Sequence, residues 1–166
     1  TPQLRENLRA RYGLDKPVSE QDVLYLKNML RGDFGISFTQ ENRRVNDIIR
    51  EHFPVSAILG VVALLIATAG GIAGGAVAAY WHNRLPDRLL MMAVVLAISI
   101  PSFVIAALAQ LFIVQANDLA GRSLLPVAGW GTLSHLWIPA LVLGLGTMAY
   151  LARLMRSSML DVMNTD

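Results

Sequence analysis

The chain has 166 residues, of which 54% are hydrophobic and 16% charged, with a net charge of +2 and no cysteine. A soluble globular domain carries roughly 25% charged residues, so this balance points away from water. The small, sign-interleaved charge argues against a nucleic-acid footprint, and the lack of cysteine excludes disulfides, thiolate zinc sites and a cysteine nucleophile.

Charge is also unevenly placed, with eight of the twelve acidic and nine of the fourteen basic residues within residues 1–53. That segment reads as short interfacial helices and turns outside the bilayer. Thr1 can cap a first helix, with Pro2 in its first turn, Leu4 and Leu8 on one face and Gly13 as terminator. Ser19 precedes Asp22 with near capping-box spacing, and Val23, Leu26 and Leu30 then form a stripe that ends at Gly32. Gly32, Asp33, Phe34 and Gly35 read as a turn, because Asp33 can accept from nearby backbone N–H groups and the glycines allow positive φ. The tripeptide Asp33-Phe34-Gly35 also occurs in kinases, but the glycine-rich loop, strand lysine and catalytic-loop signature that would give it meaning are absent. A third stripe of Val45, Ile48, Ile49 and His52 leads to Pro54, where the chain is expected to enter the membrane.

From Phe53 to Tyr80 there are 28 consecutive residues without a charge, and from Leu89 to Asn117 there are 29. Each exceeds the roughly 20 residues needed to cross a bilayer core, and a soluble helix of that length would have to expose one apolar face to water. A third apolar run, Leu136 to Met155, carries only Arg153 near its end, where a long cationic side chain can reach the headgroups. The expectation is an all-α, multi-pass transmembrane bundle with spans at about 54–80, 89–114 and 136–155. A loop at 81–88 joins the first two and a longer loop at 115–135 the last two, and 156–166 begins the next polar stretch. Basic residues flanking the spans divide equally. Arg84, Arg88, Arg153 and Arg156 stand on one side, and Arg43, Arg44, Arg50 and Arg122 on the other. The former are the more compact clusters and favour the cytoplasm as anchors.

The first span carries Gly70, Gly71, Gly74 and Gly75, with Ala67 and Ala78 continuing the spacing. Small residues let another helix backbone approach closely, which makes these glycines a candidate packing face. They are not a phosphate-binding loop, since no Lys-Ser or Lys-Thr follows Gly75, so any ATP chemistry must belong to another chain. In the second span Pro101, between Ser99 and Ser102, removes a backbone hydrogen bond and predicts a kink. Gln110 on that span and Thr147 on the third are polar groups that should face protein or a wet cavity; with Ser99, Pro101 and Ser102 they are candidates for the wall of a solute pathway. Trp130 and Trp137 read as interface anchors. His52, His82 and His135 are far apart with no paired carboxylate, which argues against a metal site, and no cofactor is implied.

Six stretches in fixed order carry a resemblance. They are Arg11–Pro17, Leu30–Ser37, Phe53–Ala57, Ile98–Phe103, Leu125–Gly129 and Arg153–Val162. Together they resemble the membrane permeases of ABC importers for dipeptides, oligopeptides and nickel, with wording closest to the oligopeptide branch. The resemblance implies a six-span subunit of the bacterial cytoplasmic membrane whose first span precedes Thr1. It places residues 1–53 outside the cytoplasm and the loop at 81–88 inside, which resolves the equal charge count. It further implies a second permease, two cytoplasmic ABC ATPases and an extracytoplasmic peptide-binding protein as partners, in a lipid membrane. The ATPase-coupling loop would follow the Arg153–Val162 stretch, beyond Asp166. The start at Thr1 without methionine or signal pattern leads to the same expectation of a segment of a longer protein. Alternatives are a permease for nickel or another small solute, a passive channel or secondary transporter, and an intramembrane protease. The last two would need an ion-binding cluster, or paired aspartates or a serine–histidine pair within spans.

Overall fold

The computed structural model describes residues 16–37, 39–40 and 43–165; the helix expected near Thr1–Gly13 lies outside them. Among the described residues are five helices: α1 Val18–Leu30, α2 Val45–Tyr80, α3 Leu85–Ser99, α4 Ser102–Ala120 and α5 Ser134–Met163. The chain forms two compact units that divide between Val55 and Ser56, within α2.

In the first unit α1 starts one residue after Pro17, whose carbonyl accepts from Glu20 and Gln21 at 2.9 and 3.1 Å. The capping box expected at Ser19 does not form. Pro17, with its fixed φ and extended ψ, already sets the entry geometry, and Ser19 falls inside the first turn. The helix ends at Arg31, and Gly32 and Gly35 then take φ of 78° and 79°. Between them Asp33 Oδ1 accepts from the Gly35 N–H at 3.0 Å, the Asx geometry that short acidic side chains favour in turns. Asn46 fixes this turn against the start of α2: its Oδ1 accepts from the Phe34 N–H at 3.0 Å, and its Nδ2 donates to the Gly32 carbonyl. An antiparallel bridge joins Ile36 to Arg44, with Val45 N–H on the Gly35 carbonyl at 3.0 Å. The stripe Val45–His52 is not a separate interfacial helix. It is continuous with the first apolar run, and Pro54 lies inside α2.

The second unit is built on an every-fourth-residue repeat of small side chains. Along α2, Ala63, Ala67, Gly71, Gly75 and Ala79 are all buried. Along α5, Leu136, Ala140, Gly144 and Ala152 repeat at multiples of four and are buried too. These two rows face each other, the ridge arrangement that i±4 spacing produces. A Cβ added at Gly144 would stand 2.6 Å from the Ala63 carbonyl oxygen, and one at Gly71 would stand 2.8 Å from the Met148 carbonyl and 2.6 Å from Leu151 Cβ. Gly75 meets the Ala152 carbonyl more closely still, and a Cβ there would be 3.1 Å from the Arg156 nitrogen. Because residue numbers rise together along the contact, α2 and α5 run parallel.

The second apolar run does not form one bent helix. It breaks: α3 stops at Ser99, Ile100 and Pro101 are extended with ψ of 125° and 137°, and α4 begins at Ser102. Proline disfavours a helical conformation for the residue before it and cannot donate to the turn behind, so the helix restarts rather than bends. Both halves pack along α5 in the opposite sense. Val94 of α3 clusters with Ala149 and Ala152, whereas Gln110 and Ile113 of α4 lie near Ser134 and Ile138. The pair α3–α4 is therefore one broken crossing between two parallel ones. Large apolar side chains such as Leu64, Leu65, Phe103, Leu108, Leu111 and Phe112 face outward, as lipid-facing surfaces do and water-facing ones on this scale do not.

Gly75→Val should therefore lower thermal stability in detergent, by about 1–3 kcal/mol as overpacking typically costs. Gly74, which has open space around its Cα, should accept alanine with an unchanged or slightly raised melting temperature.

Candidate functional site

Two recesses and one ionic junction concentrate the polar chemistry of the second unit. The first recess, of 440 Å³, is bounded by Leu59 of α2, by Ser102, Phe103 and Gln110 of α4, and by Pro126, Gly129, His135 and Pro139 of the following loop and α5. The loop is shaped by Asn117, whose Oδ1 accepts from the Leu124 N–H at 2.8 Å while its Nδ2 donates to the Leu125 carbonyl at 2.9 Å. His135 is held by its Nδ1, 2.7 Å from Thr132 Oγ1. Pro139 removes one hydrogen bond from the first turns of α5 and adds an apolar ring to the wall.

The second recess, of 530 Å³, opens beside the break in α3–α4 and is lined by Ile100, Pro101, Ser102, Gly146, Thr147 and Tyr150 among others. The structure thus brings Pro101, Ser102 and Thr147 together, and Ser102 with Gln110 in the neighbouring recess. Ser99 is exposed and borders neither. Of the four glycines between Gly70 and Gly75, Gly70, Gly71 and Gly75 face α5, Gly70 against the flexible Met148 side chain, while Gly74 faces open space. Trp130 and Trp137 are both exposed.

The junction lies where the loop after α2 turns into α3. Asp87 is 2% exposed, the one buried charged residue among those described. It occupies the first turn of α3, ahead of the uncharged run that begins at Leu89, next to Pro86. Arg156 of α5 grips it with both arms of the guanidinium, Nε donating to Oδ1 and Nη2 to Oδ2, each at 2.7 Å. The Asn83 N–H adds a third bond to Oδ2 at 2.9 Å, from a residue with φ of 61°. Arg156 Nη2 also donates to His82 Nδ1 at 3.0 Å. The Arg156 hydrogen bonds hold the Asp87 carboxyl well below the usual carboxylate range, at about 2, against the opposing effect of burial. Arg84, Arg88 and Arg153 are exposed around this junction.

Sequence reasoning grouped Arg156 with the basic anchors and missed Asp87. The signal was present. Asp87 is the lone acidic residue between Phe53 and Asn117, and it follows a proline at a helix start, where a carboxylate can accept from the backbone ahead of the helix and complement its dipole.

A helical bundle with, among the described residues, three segments long and apolar enough to cross a membrane, whose parallel outer crossings enclose a broken one, defines a multi-pass membrane protein. The family described as "Binding-protein-dependent transport system inner membrane component" matches residues 70–166, and the chain belongs to it. The dipeptide transport system permease protein of Bacillus subtilis is 40% identical over 98% of this chain and 51% of its own length. The oligopeptide transport system permease proteins of Haemophilus influenzae and Salmonella typhimurium are 37% and 38% identical, each over 99% of this chain and 53% of their own length. The chain thus spans about half the length of the curated relatives it matches.

Removing the Asp87 carboxylate leaves a partly buried guanidinium unpaired. Asp87→Ala should cost on the order of 3 kcal/mol, the low end for a broken buried pair because the Arg156 side chain remains 23% exposed. Arg156→Lys should recover only part, since an ammonium cannot reproduce the two-pronged grip. Because the folded pKa of Asp87 is depressed, the pair's contribution is complete above the ordinary value of 3.8 and is lost as pH falls through about 2. Thermal unfolding in detergent between pH 7 and pH 3 should show a loss below about pH 4 that Asp87→Asn lacks.

Proposed function

We propose that this chain is part of the permease subunit of an ATP-driven importer that moves short peptides across the bacterial cytoplasmic membrane by alternating access. The observation that carries this reading is that relatives named for dipeptide and for oligopeptide transport align with 98% to 100% of the chain at 35% to 40% identity. Neither group stands apart from the other, so the substrate class is dipeptides and oligopeptides together.

In this role the subunit makes and breaks no covalent bond. A second permease completes the pathway, an extracytoplasmic binding protein delivers peptide, and two ABC ATPases on the cytoplasmic face hydrolyse ATP. The orientation puts residues 1–53 and 115–135 outside and 81–88 inside, with Arg84, Arg88, Arg153 and Arg156 at the cytoplasmic boundary. Support for a pathway along α4 and α5 comes from Ser102, Gln110 and Thr147, which line recesses of 440 and 530 Å³. Such volumes fall within the roughly 300–1,000 Å³ typical of small-ligand pockets, and polar groups at membrane depth are kept where they face protein or water. Pro101 contributes by breaking the helix that carries this wall and by lining the second recess, whereas Ser99 borders neither recess.

The full-length protein, reconstituted in proteoliposomes with its second permease, ATPases and binding protein, should take up labelled dipeptides to pentapeptides only when ATP is supplied. Ser102→Trp, which fills space in both recesses, should strongly reduce uptake while leaving assembly intact. Absence of ATP-dependent uptake across the whole peptide panel would overturn the reading.

A further inference from the structure

Three helices meet at Arg156. Its side chain holds Asp87 of α3, its backbone nitrogen packs where a Cβ on Gly75 of α2 would stand 3.1 Å away, and it belongs to α5 itself. The loop joining α2 to α3 is tied to the same point through the Asn83 N–H and His82. Each bond has its geometry satisfied, and opening the junction would strand a carboxylate that is 2% exposed, which low-dielectric surroundings penalise heavily. Close packing between α2 and α5 continues along Gly71 and Gly75, which lie against the Met148 and Ala152 backbone and the Cβ atoms of Leu151 and Met155. This end of the unit is built to stay together.

The other half of the α3–α4 crossing is held differently. Ile100 and Pro101 are extended and exposed, so the helical ladder is interrupted there, and a 530 Å³ recess lies alongside. Beyond the break α4 buries a single residue, Ile113, and the first recess, of 440 Å³, is lined by α4 and the first half of α5. Interrupted backbone pairing next to empty volume is where a helix can change direction at low cost.

We propose that Asp87 is a positioning residue of the transport cycle. Through Arg156 it fixes the cytoplasmic ends of α2, α3 and α5 as one rigid body, so that the change between outward and inward states is taken up at the Ile100–Pro101 break by movement of α4. Asp87 touches no substrate in this role. The inference rests on the alternating-access reading above, but it concerns which parts move rather than what is carried.

The test uses the complete assembled importer with cysteines introduced in pairs for spin labels, a background that this cysteine-free segment favours. Leu85, Leu119 and Ser158 are exposed sites at the start of α3, the end of α4 and the last turns of α5. The 85–158 distance should be the same in the nucleotide-free and ATP-trapped states, and the 85–119 distance should change. Asp87→Asn should broaden the 85–158 distribution and lower the number of peptides moved per ATP hydrolysed. A swap, Asp87→Arg with Arg156→Asp, should narrow the distribution and raise that ratio again. A merely structural role would reduce the amount of assembled complex and leave the ratio per complex as it was. The proposal is overturned if the 85–158 distance changes between states in the unsubstituted protein, if the 85–119 distance does not, or if Asp87→Asn leaves both the distribution and the ratio unaltered. A protein that moves no peptide would sink the transport reading, while the two distances would still decide this one.

Discussion

The close approach of two helix backbones is the constraint on which the second unit depends. In lipid there is no hydrophobic drive to press helices together, so contact must come from shape. The rows Ala63–Ala67–Gly71–Gly75–Ala79 and Ala140–Gly144–Ala152 provide that shape by removing side-chain bulk along one face of each helix. Once α2 and α5 are parallel and in backbone contact, the chain between them has to cross back, and α3 with α4 does so along α5. The parallel pair thus dictates the sense of the third crossing and brings Arg156 beside the turn that carries Asp87.

The polar features follow from that frame. A buried aspartate is tolerable only with its lone pairs occupied, and the bundle meets this need with two guanidinium bonds and one backbone N–H. The break at Ile100–Pro101 lies midway along the same crossing, and beyond it α4 is sparsely packed beside the recesses. Tight and loose halves of one crossing, each with a local chemical cause, are what a protein needs if part of it is to move while the rest holds its register.

Much of this was legible in the sequence. The uncharged runs after Phe53 and Leu89 specify membrane helices without reference to any relative, because no other environment accepts them. The turn at Gly32–Gly35 was legible from residue types alone. Three things were not. The start of α2 at Val45 was hidden because charges at Asp47, Arg50 and Glu51 mark the polar end of the same helix as clearly as they would a separate one. The break after Ser99 was read as a kink, since a proline's consequence depends on whether neighbouring helices support the gap or leave space beside it. The pairing of Asp87 with Arg156 was hidden because the two lie 69 residues apart, a separation that no local pattern encodes, although Asp87 itself stands out as an isolated acid at a helix start. Among the four glycines from Gly70 to Gly75, composition marks all alike, and only the angular position on the helix separates Gly74 from Gly71 and Gly75.

The single broken crossing by α3 and α4 is the claim on which the rest turns, and membrane sidedness tests it most directly. Single cysteines at positions 84, 122 and 158, in the full-length protein freed of any other cysteine, can be probed in intact cells with a maleimide that does not cross membranes. Position 122 is expected to label from outside, and positions 84 and 158 only after the membrane is permeabilised. Labelling of 84 and 122 from the same side would contradict the account, because α3 and α4 would then form a hairpin that enters and leaves by one face.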